Sequence, residues 1–103
     1  MFNYYVYILK CSDDSFYTGI SNNLKRRVEE HRLGNNRKSY TFKRRPLRLV
    51  YHLKFNDVLE AIYFEKKIKG WTRAKKMALI KGDFQMLQIL AECRNASHFK
   101  FKD

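Results

Sequence analysis

The stretch YYVYILK at residues 4–10 sets the architecture of the chain, together with the stretch FYTGI at residues 16–20. Both stretches are rich in aromatic and β-branched residues, which favour β-strands. The residues between them, CSDDS at 11–15, carry the side chains that β-turns prefer. The chain therefore opens with a predicted β-hairpin.

Cap residues and glycines then delimit a series of helices. The sequence SNN at residues 21–23 can cap the first helix, Gly34 ends it, and Pro46 opens a third strand. Few strands with helices packed on them predict an α+β fold of order β-β-α-β-α-α, with a possible extra C-terminal helix. The predicted elements after the hairpin are a helix over 24–33, a strand over 47–55, a helix from a cap at Asn56 or Asp57 to residue 69, a helix over 73–81, a weaker helix over 84–93 capped by Asp83, and a polar tail over 94–103.

The charge balance indicates a polyanionic partner. The 103 residues, enough for one domain, include 22 Lys and Arg against 10 Asp and Glu, a net charge of +12. Self-repulsion of this size opposes folding, so the excess favours a nucleic-acid partner over a basic protein without one. Cys11 and Cys93 lie too far apart for a zinc motif, and free thiols fit a reducing cytoplasm. We expect a cytoplasmic protein with no signal peptide and no membrane span.

The basic loop RKSYTFKRR at residues 37–45 is the predicted nucleic-acid contact, because no acidic residue occurs between Arg32 and Asn56. Its cations would contact phosphates. Its aromatic residues, Tyr40 and Phe42, either stack on unpaired bases or anchor the loop on the core. The predicted nucleic-acid-binding residues are Arg37, Lys38, Tyr40, Lys43, Arg44, Arg45, Lys75 and Lys76.

Two predicted helices carry charged or titratable residues on faces that should be apolar. Helical spacing places Arg27 and His31 on the apolar face of the first helix, and Glu65 on that of the second. Without a function, Arg27 and His31 would reach water from the edge of their face, and Glu65 would pair with one of the many bases. The lysines that follow Glu65 on the second helix are expected to point to other faces. The apolar neighbours on these faces are Leu24, Val28, Ala61, Ile62 and Ile68.

The hairpin adds tyrosines to this set. Strand periodicity places Tyr5 and Tyr7 on one face of the first strand, and Tyr17 beside Gly19 on one face of the second. A glycine there leaves room for the close approach of a ligand. If the tyrosines converge with the arginine, histidine and glutamate of the helices, the group suits phosphodiester hydrolysis: a carboxylate for a divalent cation, an arginine for the developing phosphate charge, and a tyrosine or a metal-bound water for proton transfer.

These residues occur in an order that resembles a known family. Tyr5-Val6-Tyr7, Tyr17-Thr18-Gly19, Arg27, His31 and Glu65 follow one another as in the GIY-YIG nuclease superfamily. The runs KRRPL at 43–47 and TRAKKMALI at 72–80 are typical of its small stand-alone bacterial group, the UPF0213-like proteins. The resemblance covers about residues 4–82, and five elements in register are far more specific than a lone YTG.

The resemblance implies a three-stranded antiparallel sheet flanked by helices, one divalent ion (Mg²⁺ or Mn²⁺) and DNA cleavage. By it, Glu65 holds the metal, and Tyr17 is the general base, with Tyr7 positioning the water or sharing that role. Arg27 stabilises the transition-state phosphate, and His31 assists by orientation or proton transfer. We expect the nuclease domain over residues 1–82, with a C-terminal helix and polar tail over 83–103.

Departures from the family pattern keep two alternatives open. Tyr5 replaces the glycine of the first motif, and the asparagine that many members carry after the third helix is missing from IKGDF at residues 80–84. Asp83 could replace it, but an ionised carboxylate accepts hydrogen bonds and donates none. A catalytically weak or inactive nucleic-acid-binding module is therefore the main alternative, and an RNA-directed nuclease the other. With no second domain for targeting, the protein would also need a targeting protein partner or cut unselectively.

Overall fold

The fold is built on the central strand of a small antiparallel sheet. The computed structural model describes residues 3–89. Strands β1 (Tyr4–Lys10), β2 (Phe16–Ser21) and β3 (Arg48–Phe55) pair in the order β2-β1-β3, with both neighbours antiparallel to β1. The predicted α+β fold and its element order are therefore confirmed, and β3 begins one residue later than predicted.

Side-chain caps fix where the helices begin. Helices α1 (Leu24–Leu33), α2 (Val58–Lys69) and α3 (Arg73–Lys81) follow the predicted ranges closely. Each cap side chain accepts a hydrogen bond from a backbone N–H of the first turn. The caps are Asn23, Asp57 and Thr72.

The predicted C-terminal helix is present at its start. Residues 84–89 are helical, and Oδ1 of Asp83 accepts a hydrogen bond from the N–H of Met86 at 3.0 Å. The remainder of that helix and the polar tail lie outside the described residues. The chain divides into two compact units after Gly70, so α3 belongs to the second unit, and the predicted boundary at residue 82 stays a prediction. Among residues 3–89, every helix is too short or too polar to span a lipid bilayer.

Both faces of β1 are buried, which requires a helix on each side of the sheet. Tyr7 and Leu9 form a core cluster against which Leu24 and Val28 of α1 pack. On the other face Val6 and Ile8 are fully buried. An aromatic pair joins β3 to α2, since the ring centroids of Phe55 and Phe64 are 5.4 Å apart.

One prediction about α2 is wrong in part. Ala61, Glu65 and Ile68 are buried as expected, but Ile62 is 36% exposed. The reason is geometric, because the buried stripe follows positions 61, 65 and 68, and Ile62 lies at its margin. Glu65 therefore lies between two residues that are fully buried.

The space beside Gly19 is filled by a side chain of the protein. Tyr7 pairs with Gly19 across β1 and β2. A Cβ atom at position 19 would overlap the hydroxyl of Tyr7 and lie 2.6 Å from its Cζ. The expectation that this glycine leaves room for a ligand is thus wrong, since the ring of Tyr7 fills the room.

We expect Gly19→Ala to destabilise the protein by roughly 1–3 kcal/mol, the usual cost of forcing an extra carbon into a packed core. Urea denaturation of the variant and the parent would measure it. Gly70→Ala is the matched control, because its Cβ would meet no atom closer than 3.7 Å. Equal stability of the two variants would mean that Tyr7 moves away from Gly19 at little cost.

Candidate active site

Tyr7 and His31 form the centre of the candidate site. The Tyr7 hydroxyl lies 3.2 Å from Nε2 of His31, and Nδ1 of His31 lies 2.9 Å from Oγ1 of Thr41. Thr41 is almost fully buried and is also 2.9 Å from Oγ of Ser39. A neutral imidazole donates from one nitrogen and accepts at the other, so the two hydrogen bonds fix the orientation of the ring. Sequence reasoning missed Thr41, because no local pattern links it to a histidine ten residues away.

Burial and neighbouring charges control the protonation of these groups. Burial lowers the pKa of His31 below its ordinary value, and the positive charge of Arg27 lowers it further. Burial also raises the pKa of Tyr7 strongly; negative charge at Tyr17 adds to the increase, Arg27 opposes it, and Glu65 adds a smaller contribution. Tyr7 is therefore a phenol at neutral pH, suited to donating a hydrogen bond and unsuited to acting as a base.

A group of aromatic rings surrounds Tyr17. Its centroid lies 5.1 Å from that of His31 and 6.4 Å from that of Tyr7. Tyr40 stacks on it at 6.0 Å with an interplanar angle of 23°. The guanidinium carbon of Arg44 lies 3.8 Å from the centroid of the Tyr40 ring. These contacts favour the anchoring role for Tyr40, since its ring already packs against two side chains.

Arg27 borders the cleft next to these rings. Its Nε is buried and lies 3.2 Å from Oε1 of Glu30, although within residues 3–89 this nitrogen has no partner aligned for a hydrogen bond. The distance is that of an ion pair and the angle is not that of a hydrogen bond, so we regard the contact as electrostatic. Because 41% of the side chain is exposed, an anion in the cleft has access to the guanidinium group.

The cleft itself has a volume of about 550 Å³. The candidate residues Tyr17, Arg27 and His31 line it together with residues of the segment that follows α1. Those additional residues include Asn35, Asn36, Ser39, Tyr40 and Thr41. The structure thus brings Tyr17, Arg27 and His31 to one accessible cleft, and the buried Tyr7 is hydrogen-bonded to His31.

Glu65 has a partner that sequence reasoning assigned to another face. Nζ of Lys69 lies 2.8 Å from Oε2 of Glu65, although we expected Lys69 to point away. The pair has the i,i+4 Glu-to-Lys spacing that joins side chains on a helix, which is the signal that could have predicted it. The hydrogen bond to Glu65 raises the pKa of Lys69, and the negative charges of Glu65 and Tyr17 act in the same direction. A cation this close also offsets part of the cost of burying the carboxylate.

The donor set at Glu65 suits a hard divalent cation. Within the described chain, no three His, Cys, Asp or Glu side chains lie together as a metal-binding group. Mg²⁺ commonly uses one or two carboxylates and completes its shell with water and substrate phosphates. A single buried carboxylate such as Glu65 fits that mode of binding. The absence of a larger ligand group excludes a closed structural metal site among the residues that the structure describes, because such a site needs several protein ligands.

The basic loop divides into exposed and anchored cations. Arg37, Lys38 and Lys43 are exposed, and none of them forms an ion pair within residues 3–89. Nε of Arg44 donates to Oδ2 of Asp13 at 3.1 Å, and its Nη1 donates to the carbonyl oxygen of Tyr40 at 2.8 Å. Arg44 is thus held by the protein, which makes the exposed three the better candidates for phosphate contacts.

Among the other predicted contacts, Arg45 and Lys75 also have partners of their own. Nε of Arg45 donates to the carbonyl oxygen of Phe42 at 3.0 Å, and its guanidinium carbon lies 4.5 Å from the Phe42 ring centroid. In the second unit, Lys75 is buried, with its ammonium 4.6 Å from the Trp71 ring centroid. Lys76 is half-buried, and burial lowers its pKa. Their roles as nucleic-acid contacts stay predictions.

Comparison with known proteins agrees with this arrangement. The family model described as the GIY-YIG catalytic domain matches residues 3–78, a range that contains all five candidate catalytic residues. The chain belongs to the GIY-YIG family. UPF0213 proteins of Staphylococcus aureus strains Mu50 and N315 are each 47% identical over 81 residues, which cover 79% of this chain and 98% of each relative.

Two solved structures are similar to the structure of this chain. The UPF0213 protein BH0048 from Bacillus halodurans is 40% identical, with a TM-score of 0.52, and the match covers 77% of this chain and 83% of that one. The protein EF2693 from E. faecalis is 34% identical, with a TM-score of 0.57, and the match covers 81% of this chain and 88% of that one. Membership of this family implies endonuclease activity, and GIY-YIG nucleases generally depend on a divalent metal.

The environment of His31 predicts a pH dependence of stability. Because folding lowers the pKa of His31, the unfolded chain binds the proton more readily than the folded one. The free energy of unfolding should therefore decrease as pH falls through the ordinary value of 6.5 towards the lower folded value. Urea denaturation between about pH 7.5 and pH 5.5 should show a smaller decrease for His31→Gln than for the parent. Parallel curves would mean that His31 is solvated in the folded protein.

Proposed function

We propose that this GIY-YIG protein is a metal-dependent DNA endonuclease with its site at the Tyr17 cleft. One observation carries the proposal: the rings of Tyr7, Tyr17 and His31 contact one another, and Tyr7 is hydrogen-bonded to His31. Arg27 lines the same cleft as Tyr17 and His31. A structural role alone would not require a half-exposed arginine, a neutral histidine and a phenol to gather at one opening, with a second, buried phenol hydrogen-bonded to the histidine.

Each residue has a role that its environment supports. Tyr17 borders the cleft and is the general base that removes the proton from the attacking water. Tyr7, which remains a phenol, donates a hydrogen bond that positions the reacting groups. Arg27 offers a planar pair of donors to the equatorial oxygens of the phosphate, where negative charge develops. His31 orients Tyr7 through the 3.2 Å hydrogen bond.

The metal would be held by Glu65. Mg²⁺ or Mn²⁺ bound there would polarise the phosphate and stabilise the leaving oxygen. The carboxylate has one oxygen paired with Lys69 and is mostly buried, so its position is set by the packing of α2. DNA is the proposed substrate because the net charge of +12 and the exposed cations of the basic loop suit a long polyanion.

A catalytically weak binding module is the second candidate. One observation favours it: Oδ1 of Asp83 accepts a hydrogen bond from the N–H of Met86, so this carboxylate caps a helix. An acceptor that is already engaged is a poor substitute for the family's asparagine, whose amide also donates. Such a module would retain DNA binding through the basic loop and lose turnover.

We expect Glu65→Gln to abolish metal-dependent nicking of supercoiled plasmid and to leave DNA binding unchanged or tighter. The amide keeps the shape of the carboxylate and loses the charge that holds the cation. The control is Glu60→Gln, an exposed residue in the first turn of the same helix. If the Glu65 variant nicks as fast as the control, Glu65 is structural; if the parent itself does not nick, the binding-module candidate is favoured.

Removal of the exposed cations of the basic loop should flatten the salt dependence of DNA binding. Each lost phosphate contact lowers the slope of log affinity against log salt by about 1, so Arg37, Lys38 and Lys43 changed together to Ala should lower it by up to about 3. Fluorescence anisotropy with a short duplex would measure both slopes. The charge-matched control changes three exposed lysines elsewhere, Lys25, Lys54 and Lys67, to Ala. Equal slopes in the two triple variants would place the DNA path on another surface.

A further inference from the structure

The Glu65–Lys69 pair joins a fixed anion to a cation on a flexible side chain. The carboxylate side chain is 10% exposed, whereas the lysine side chain is 55% exposed, and their charged atoms are 2.8 Å apart. Both residues lie on α2, but Lys69 is its last residue and extends through a long flexible chain. If another ion bound at this pair, the ammonium group would therefore move and the carboxylate would stay in place.

The ammonium and a divalent cation compete for the same group. A Mg²⁺ or Mn²⁺ ion bound to Glu65 would lie within a few ångströms of the Lys69 charge, and the repulsion between them is substantial in a partly buried site. Among residues 3–89 no group of three His, Cys, Asp or Glu side chains offers an alternative site. Binding of the cation to Glu65 therefore requires the ammonium to move or to find another anion.

A phosphodiester supplies that anion. Tyr17 contributes to the raised pKa of Lys69, and Tyr17 borders the cleft next to Arg27 and His31. A phosphate in this cleft would offer oxygens to both the divalent cation and the displaced ammonium, so that every charge has a partner.

We propose that Lys69 is a further residue of the reaction site, one that pairs with Glu65 in the free protein and with an oxygen of the scissile phosphate in the complex. Cation binding and substrate binding are then coupled, because the phosphate receives the ammonium that the cation displaces. This proposal rests on the proposed function; it adds a phosphate-binding group and predicts that cation binding is weak in the absence of DNA.

The first test is cation affinity without DNA. Lys69→Met removes the competing charge and should tighten Mn²⁺ binding, measured by isothermal titration calorimetry, by roughly three- to tenfold. Lys67→Met, an exposed residue on the same helix, removes the same charge away from Glu65 and should change the affinity little. Adding Glu65→Gln to Lys69→Met should abolish the gain. Equal Mn²⁺ affinities of the Lys69 and Lys67 variants would overturn the proposal.

The second test is turnover at saturating Mn²⁺. Lys69→Met should lower kcat roughly tenfold or more relative to Lys67→Met, because a donor to the phosphate is lost although the cation site is full. Unchanged kcat would overturn the phosphate contact and leave Lys69 as a competitor alone. If no variant cleaves DNA, the proposed function fails, yet the calorimetric comparison still decides the competition. Urea denaturation of both lysine variants would confirm that each one folds.

Discussion

The packing of the Tyr7 ring over Gly19 is the contact on which the candidate site depends. Tyr7 belongs to the central strand and points into the cluster that α1 covers, so its hydroxyl is shielded from bulk water and needs a partner. His31 of α1 provides that partner. A one-residue slip between β1 and β2 would direct Tyr7 to the opposite face and leave His31 without its phenol.

The same requirement for hydrogen-bond partners organises the segment after α1. His31 is hydrogen-bonded to Thr41 through its second ring nitrogen, and Thr41 is hydrogen-bonded to Ser39. Because His31 is also hydrogen-bonded to Tyr7 of β1, these buried hydrogen bonds connect the segment to the hairpin. Arg44 adds a second tie through its hydrogen bond with Asp13, in the turn between β1 and β2. The basic loop is consequently an anchored surface, and its exposed cations have a defined position relative to the cleft.

Local residue patterns are enough to specify the element order, the helix caps and the family. Strand and helix periodicity and cap chemistry act over a few residues, so they predicted the hairpin, a helix cap within residues 21–23, another at Asn56 or Asp57, and the faces of Arg27 and His31. The order of the tyrosine, arginine and glutamate motifs along the chain identified the GIY-YIG family, and the match over residues 3–78 agrees.

Long-range packing, in contrast, selects which of these side chains meet and which are already engaged. Thr41 is hydrogen-bonded to His31, and Arg44 pairs with Asp13 in the hairpin turn. Sequence spacing predicts neither contact, because each one connects separate segments of the chain. Lys69 is a partial exception, because its i,i+4 spacing from Glu65 is local. Even so, the direction of the buried carboxylate decides which of several nearby lysines forms the pair. Local chemistry specifies the elements, whereas burial and distant contacts choose the partners.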